Sequence, residues 1–138
     1  MRMKATMPTR KPTTRAIRSE ARRLAARPYK FTAELGEDGV WTSGVLEIPG
    51  VISEGDSPGE AIENAREALV GIIALHLEEG SPIPEPFETR EYSGQMYLRL
   101  SPDIHRRAVL LAAERNMSLN RWLATAVARE TGLAELSH

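Results

Sequence analysis

The segment Gly94-Gln95-Met96-Tyr97-Leu98-Arg99-Leu100, followed by Ser101-Pro102 and two helical stretches broken at Asn116-Met117-Ser118, constrains the fold more than any other part of the chain. Met96, Leu98 and Leu100 alternate with Gln95, Tyr97 and Arg99, which predicts a strand with one apolar and one polar side. Ser101 caps the first helix, Pro102 suits its first position, and Asp103 meets the positive end of its dipole. Ile104, Ala108, Leu111, Ala112 and the stem of Arg115 form its apolar face. Ser118 caps the second helix, which carries Leu119, Trp122, Leu123, Ala126 and Val127 before Gly132 stops it. A unit of about 45 residues built this way cannot bury those faces alone. Two copies can, by pairing their strands and interlocking their helices.

The chain has 138 residues, 41% of them hydrophobic, enough for one medium domain or two small ones. It has no cysteine, which excludes disulfides and thiolate metal sites and points to no oxidising compartment. The longest apolar stretch, around residues 68–77, is too short to span a bilayer, and no apolar core of signal-peptide length follows the basic N-terminus. A cytoplasmic protein without a membrane partner is expected. The net charge of −1 conceals a strong segregation. Residues 1–30 carry ten Lys/Arg against Glu20 alone, residues 31–93 carry fourteen acids against Arg66 and Arg90, and residues 94–138 carry six bases against four acids. The acidic block either attracts a basic protein or is a solvated surface.

Residues 1–13, basic and rich in Pro and Thr, read as disordered. From Thr14 to Arg27, Ile17, Ala21, Leu24 and Ala25 recur at helical spacing until Pro28 stops the run. Three readings stay open for this segment: an amphipathic nucleic-acid arm, a frayed helix, or part of a gene start placed before the real one at Met7 or later. Tyr29, Phe31, Ala33 and Leu35 then alternate as a strand; Gly36-Glu37-Asp38-Gly39 makes a turn, and Val40 to Leu46 returns as a second strand. Pro49-Gly50 interrupts, and Val51-Ile52-Ser53-Glu54 forms a short third strand. Ser57, Pro58 and Glu60 open a helix whose apolar stripe is Ala61, Ala65, Ala68, Leu69, Ile72, Ile73 and Leu77, ending by Gly80. Pro82, Pro84 and Pro86 make a stiff connector, and a further short strand is expected near Pro86 to Tyr92.

Little here suits catalysis. His76 ends an apolar helix, His105 has only Asp103 for an acid nearby, and His138 is the terminus. Glu54, Asp56, Glu60 and Glu63 offer oxygen ligands for a divalent metal, but Glu60 has a capping role and Asp56 an ordinary pre-helix turn. Gly50, Gly55 and Gly59 lack phosphate-loop spacing. Nucleic-acid recognition fits better: Gln95 suits adenine, Arg99 guanine, and Tyr97 a thymine methyl or a phosphate. The N–H groups of Ser118, Leu119 and Asn120, reinforced by Asn120 and Arg121, suit a phosphate clamp at the second helix's positive end. The alternative is a plain dimer interface with a polar outer side.

Across residues 29–133 the chain resembles the HicB-type antitoxins of bacterial type II toxin–antitoxin systems. The resemblance is carried first by Gly39-Val40-Trp41, Leu46-Glu47-Ile48-Pro49-Gly50, Gly55-Asp56-Ser57-Pro58-Gly59-Glu60-Ala61 and Ala65-Arg66-Glu67-Ala68-Leu69. It continues in Ser93 to Leu100, Leu110 to Glu114 and Met117-Ser118-Leu119-Asn120. It implies an α+β architecture: a partial ribonuclease-H-like β-β-β-α domain over 29–92, without catalytic carboxylates, then a ribbon-helix-helix dimerisation domain over 93–138. Residues 1–28 form a basic extension outside the usual pattern. The resemblance implies no enzyme activity and no cofactor. It implies three partners: a small basic HicA-like toxin that cleaves mRNA, a palindromic operator, and further copies of the chain, as a dimer or tetramer. Gln95, Tyr97 and Arg99 become the base-reading positions and Ser118–Arg121 the clamp. The toxin-facing candidates are Glu34, Glu37, Asp38, Trp41, Glu47, Ile48, Glu54 and Glu63. A stand-alone DNA-binding regulator and a metal-dependent nuclease are the rival readings.

Overall fold

The computed structural model of the protein describes residues 12–133, so the readings of residues 1–11 and of His138 fall outside it. The chain divides into two compact units, Met1–Tyr92 and Ser93–His138. The fold is α+β: a helix and a β-β-β-α succession, followed by two further helices.

In the first unit, α1 (Thr14–Ala25) starts at Thr13, whose Oγ1 accepts from Ala16 N at 3.1 Å. The helical spacing read over Thr14 to Arg27 falls on this helix. It packs on α2 (Pro58–Glu79) and buries Ala21 and Ala25 in the core. Side chains that small let the helices approach closely and turn the arginines outward.

Strands β1 (Phe31–Leu35), β2 (Trp41–Val45) and β3 (Ile48–Gly55) form an antiparallel sheet in that order. Gly39, at φ 81°, makes the β1–β2 turn possible. Pro49-Gly50 lies inside β3 rather than interrupting it. A register shift between Gly44 and Val45 and the edge position of β3 accommodate the proline, whose missing N–H breaks no central ladder.

Ser57 Oγ accepts from Glu60 N at 3.1 Å at the start of α2, and Gly80 ends it in the left-handed region. The helix buries Ala61, Ala65, Leu69, Val70 and Ile73, the last four in one cluster with Val45, Ile48 and Val51. Each large aliphatic side chain among these stabilises the unit by about 1.5–3 kcal/mol. Gly55 permits the close approach of β3: a Cβ there would lie 2.5 Å from Ala61 N.

The strand expected near Pro86 to Tyr92 is absent; Phe87–Thr89 forms one 3-10 turn. Pro84 and Pro86 supply no N–H to a ladder, and the Phe87 N–H is taken by the Glu47 carboxylate at 3.0 Å. The connector is held to the sheet by side chains instead. Tyr29 donates its hydroxyl to Pro84 O at 2.6 Å, and Lys30 pairs with Glu88.

In the second unit, Ser101 and Ser118 cap α3 (Pro102–Glu114) and α4 (Leu119–Thr131). Between them Asn116 takes φ 53°, Met117 N bonds Ala112 O, and Asn116 N bonds Ala113 O. This is a Schellman closure with asparagine in place of glycine. The strand expected over 95–100 is not formed within the chain. A ladder needs a second strand, and the described residues of this unit hold none.

Candidate nucleic-acid and protein interfaces

Segment 94–100 leaves both its sides open. Tyr97 is 88% exposed and Met96 86%; Gln95, Leu98 and Arg99 are also exposed, while Leu100 is half-buried. Gly94 takes φ 78°, and Ser93 Oγ accepts from Gln95 N at 3.0 Å, so the chain turns immediately before the alternating residues begin. The apolar side that ought to be covered is therefore as bare as the polar side. Behind it, among the described residues, only Ala108 and Ala112 are buried. Ile104, Val109, Leu110 and Val127 are all exposed.

At the α4 start, Ser118 Oγ accepts from the Arg121 backbone N–H at 3.1 Å. Ser118 is thus a cap, and its hydroxyl already has a task. The Leu119 and Asn120 N–H groups lie in the first turn, where a helix has no partners of its own, and Asn120 and Arg121 are exposed beside them. The candidate clamp residues are brought together at one helix end, where the dipole is positive.

The candidate residues on the first unit do not form one patch. Paired residues of neighbouring antiparallel strands share a face. Rows Ala33–Ser43–Ser53 and Leu35–Trp41–Gly55 therefore lie on the side that α2 covers, and Ser43 and Gly55 are buried there. Rows Glu34–Thr42–Glu54 and Thr32–Gly44–Ile52 lie on the opposite, uncovered side. Glu34 and Glu54 thus flank Thr42 on the open face. Glu37 and Asp38 sit in the β1–β2 turn, where Asp38 Oδ1 accepts from Val40 N at 3.1 Å. Glu63 belongs to the helix layer and pairs with Arg66 at 3.3 Å.

Three candidates need correcting or qualifying. Glu47 is only 6% exposed, and its carboxylate accepts from Lys30 N and Phe87 N, each at 3.0 Å. It is a brace between the sheet and the connector, not an exposed contact. Ile48 is buried in the core for the same reason of position. Trp41 is half-buried on the helix side of the sheet. Conversely, Ile52 is 67% exposed on the edge strand of the open face, beside Gly44, and Leu46 is exposed as well. Alternation within β3 hinted at Ile52, but only the pairing register shows which face is uncovered.

Few ionisations are displaced. Burial raises the Tyr29 phenol above its usual range, opposed by the neighbouring Arg27 guanidinium. The hydrogen bond to Glu88 raises the Lys30 ammonium. Among the described residues no group of three or more His, Cys, Asp or Glu side chains is placed to hold a metal ion. Glu54, Asp56, Glu60 and Glu63 therefore do not converge on one such group. No described helix is long and apolar enough to cross a membrane.

The molecule thus joins a small α+β unit with an open acidic sheet face to a helix pair preceded by an unpaired, alternating segment. Residues 78–127 match the model of the HicB family. Over that stretch, which runs from the end of α2 through the connector into α4, the resemblance read from the sequence is shown. A crystal structure of the Burkholderia pseudomallei antitoxin HicB is similar at 20% identity and a TM-score of 0.38, covering 75% of this chain and 96% of that one. No curated protein matches the chain.

Proposed function

We propose that the protein is a non-enzymatic, cytoplasmic antitoxin. It neutralises a small basic HicA-like ribonuclease through residues 29–92, a partial ribonuclease-H-like domain, and represses its own operon through residues 93–138, a ribbon-helix-helix domain. The observation that carries this reading is the HicB-family match over 78–127 together with the bare, alternating segment it contains. Pairing segments 94–100 of two copies covers Met96, Leu98 and Leu100 and leaves Gln95, Tyr97 and Arg99 outward. A two-stranded ribbon of that kind enters a major groove, where its side chains meet base edges. The Leu119 and Asn120 N–H groups hold a phosphate and set the register.

Toxin capture belongs to the open sheet face. Glu34 and Glu54 offer charge to a basic partner, and Ile52, exposed on the edge strand, offers an apolar contact that holds it after encounter. The test uses purified protein and the operator upstream of its own gene. Arg99→Ala should cost about 1–3 kcal/mol per lost bidentate base contact while leaving neutralisation of the toxin intact. Unchanged discrimination between operator and random DNA would refute the base-reading role of Arg99.

A further inference from the structure

The two edges of the sheet are finished differently. Along β3, Pro49 supplies no N–H, a register shift interrupts the ladder, and the Asn64 side-chain amide donates to Glu54 O at 2.8 Å. Devices of this kind close an edge to further strands. Along β1 they have no counterpart. Gly36 N donates to Val40 O at 2.8 Å and Leu46 N to Lys30 O at 2.9 Å, so the bonds to β2 fall on Lys30, Thr32, Glu34 and Gly36. The N–H and C=O groups of Phe31, Ala33 and Leu35 therefore point away from the sheet, and none has a hydrogen-bond partner among the described residues.

The connector does not cover this edge. It is tied to Lys30, one residue before β1, through Glu88 and the Glu47 carboxylate, and it forms a 3-10 turn rather than a strand. Leu35, at the far end of β1, is 59% exposed. An open edge bearing apolar side chains is a template for another strand. The sequence of β1 says which one, because it is complementary to itself. Turned about Ala33 in antiparallel register, two β1 strands set Phe31 opposite Leu35 on the helix side and Thr32 opposite Glu34 on the open side. The exposed leucine gains an aromatic neighbour whose ring is already held, with the Arg66 guanidinium 4.8 Å from its centre. No acid faces an acid directly. Each Glu34 has the other Glu34 on one diagonal and Lys30 of the second copy on the opposite one, which offsets the repulsion.

We propose that β1 is a docking edge for β1 of a second copy, joining two three-stranded sheets into one continuous antiparallel sheet with Ala33 on the two-fold axis. The contact is isologous: each strand offers the same donors and acceptors that it receives. It is separate from the ribbon proposed for residues 94–100 and does not depend on it.

Residue-resolved amide hydrogen exchange on the full-length protein reads the edge directly. The Phe31, Ala33 and Leu35 amides should exchange as slowly as those of Thr32 and Glu34, which bond β2. Leu35→Lys, at an exposed position, sets a charge against the second copy and should free the Phe31 and Ala33 amides while Thr32 and Glu34 stay protected. Ala33→Pro removes an N–H that β2 does not use and should free the Phe31 amide in the same way. The chain has no cysteine, so Ala33→Cys under mild oxidation should give a disulfide-linked dimer. Residues that exchange both ladder bonds stand about 5.5 Å apart at Cα, within disulfide range. Free exchange at Phe31 and Ala33 in the parent protein overturns the proposal, and so does protection that persists in a folded Leu35→Lys variant. Protection without cross-linking would assign the edge to a different strand and overturn it as well. Leu98→Ala, which tests the ribbon, should leave the pattern at β1 unchanged, so the two contacts fail separately.

Discussion

Two backbone N–H groups, those of Lys30 and Phe87, share the buried carboxylate of Glu47, so this acid organises the connector although its sequence position suggests a contact surface. Glu47→Ala leaves two part-buried donors without their acceptor, and stability should fall by about 1–3 kcal/mol. Urea denaturation checks it, and toxin association by the remaining folded fraction should be unaltered. A loss below the error of the titration would mean that both N–H groups find water. Gly55 acts at the same scale through what it lacks. Gly55→Ala places a Cβ 2.5 Å from Ala61 N, backbone that cannot swing away. The strand and helix must separate, which costs about 1–3 kcal/mol and should appear as a lowered urea midpoint with an unchanged slope.

At the scale of elements, segment 94–100 has strand alternation and no strand to pair with. Leu98→Ala tests which of its sides is core. If Leu98 lies inside a paired ribbon, the substitution removes burial and leaves a cavity worth about 2–5 kcal/mol, and sedimentation at micromolar concentration should show dissociation. A mutant dimer as stable as the parent would reverse the assignment of the two sides. Helix α1 is the contrasting case: it does find a partner, α2, with Ala21 and Ala25 as its buried residues and Leu24 packed beside them. Its packing went unread in the sequence because Ala21 and Ala25 carry too little hydrophobic area to separate a docked helix from a solvated one.

For the whole molecule, the proposed toxin capture makes charge segregation a matter of how a basic partner would arrive. Glu34, Glu54, Glu37 and Asp38 are exposed on the open sheet face and its turn, so association with a basic toxin should slow as salt rises. Equilibrium affinity should weaken less than the association rate, because Ile52 packs without regard to salt. Stopped-flow mixing with the neighbouring gene's product would measure both. A salt-independent association rate would remove the steering role. Absence of binding at low salt would favour the stand-alone regulator.

Much of this architecture follows from local pattern. The caps at Ser57, Ser101 and Ser118, the turn at Gly36 to Gly39, the α2 stripe and the alternation over 95–100 are each decided by a few neighbouring residues. Side-chain spacing and capping act over one or two turns of chain, so they are visible in the sequence. The fate of Glu47, the path of β3 through Pro49-Gly50, the docking of α1 and the uncovered face holding Glu34, Ile52 and Glu54 were not visible in that way. Those depend on which strand is an edge, which N–H lacks a partner and which face the helix occupies. Such matters are settled between residues distant in sequence, once the chain has closed on itself.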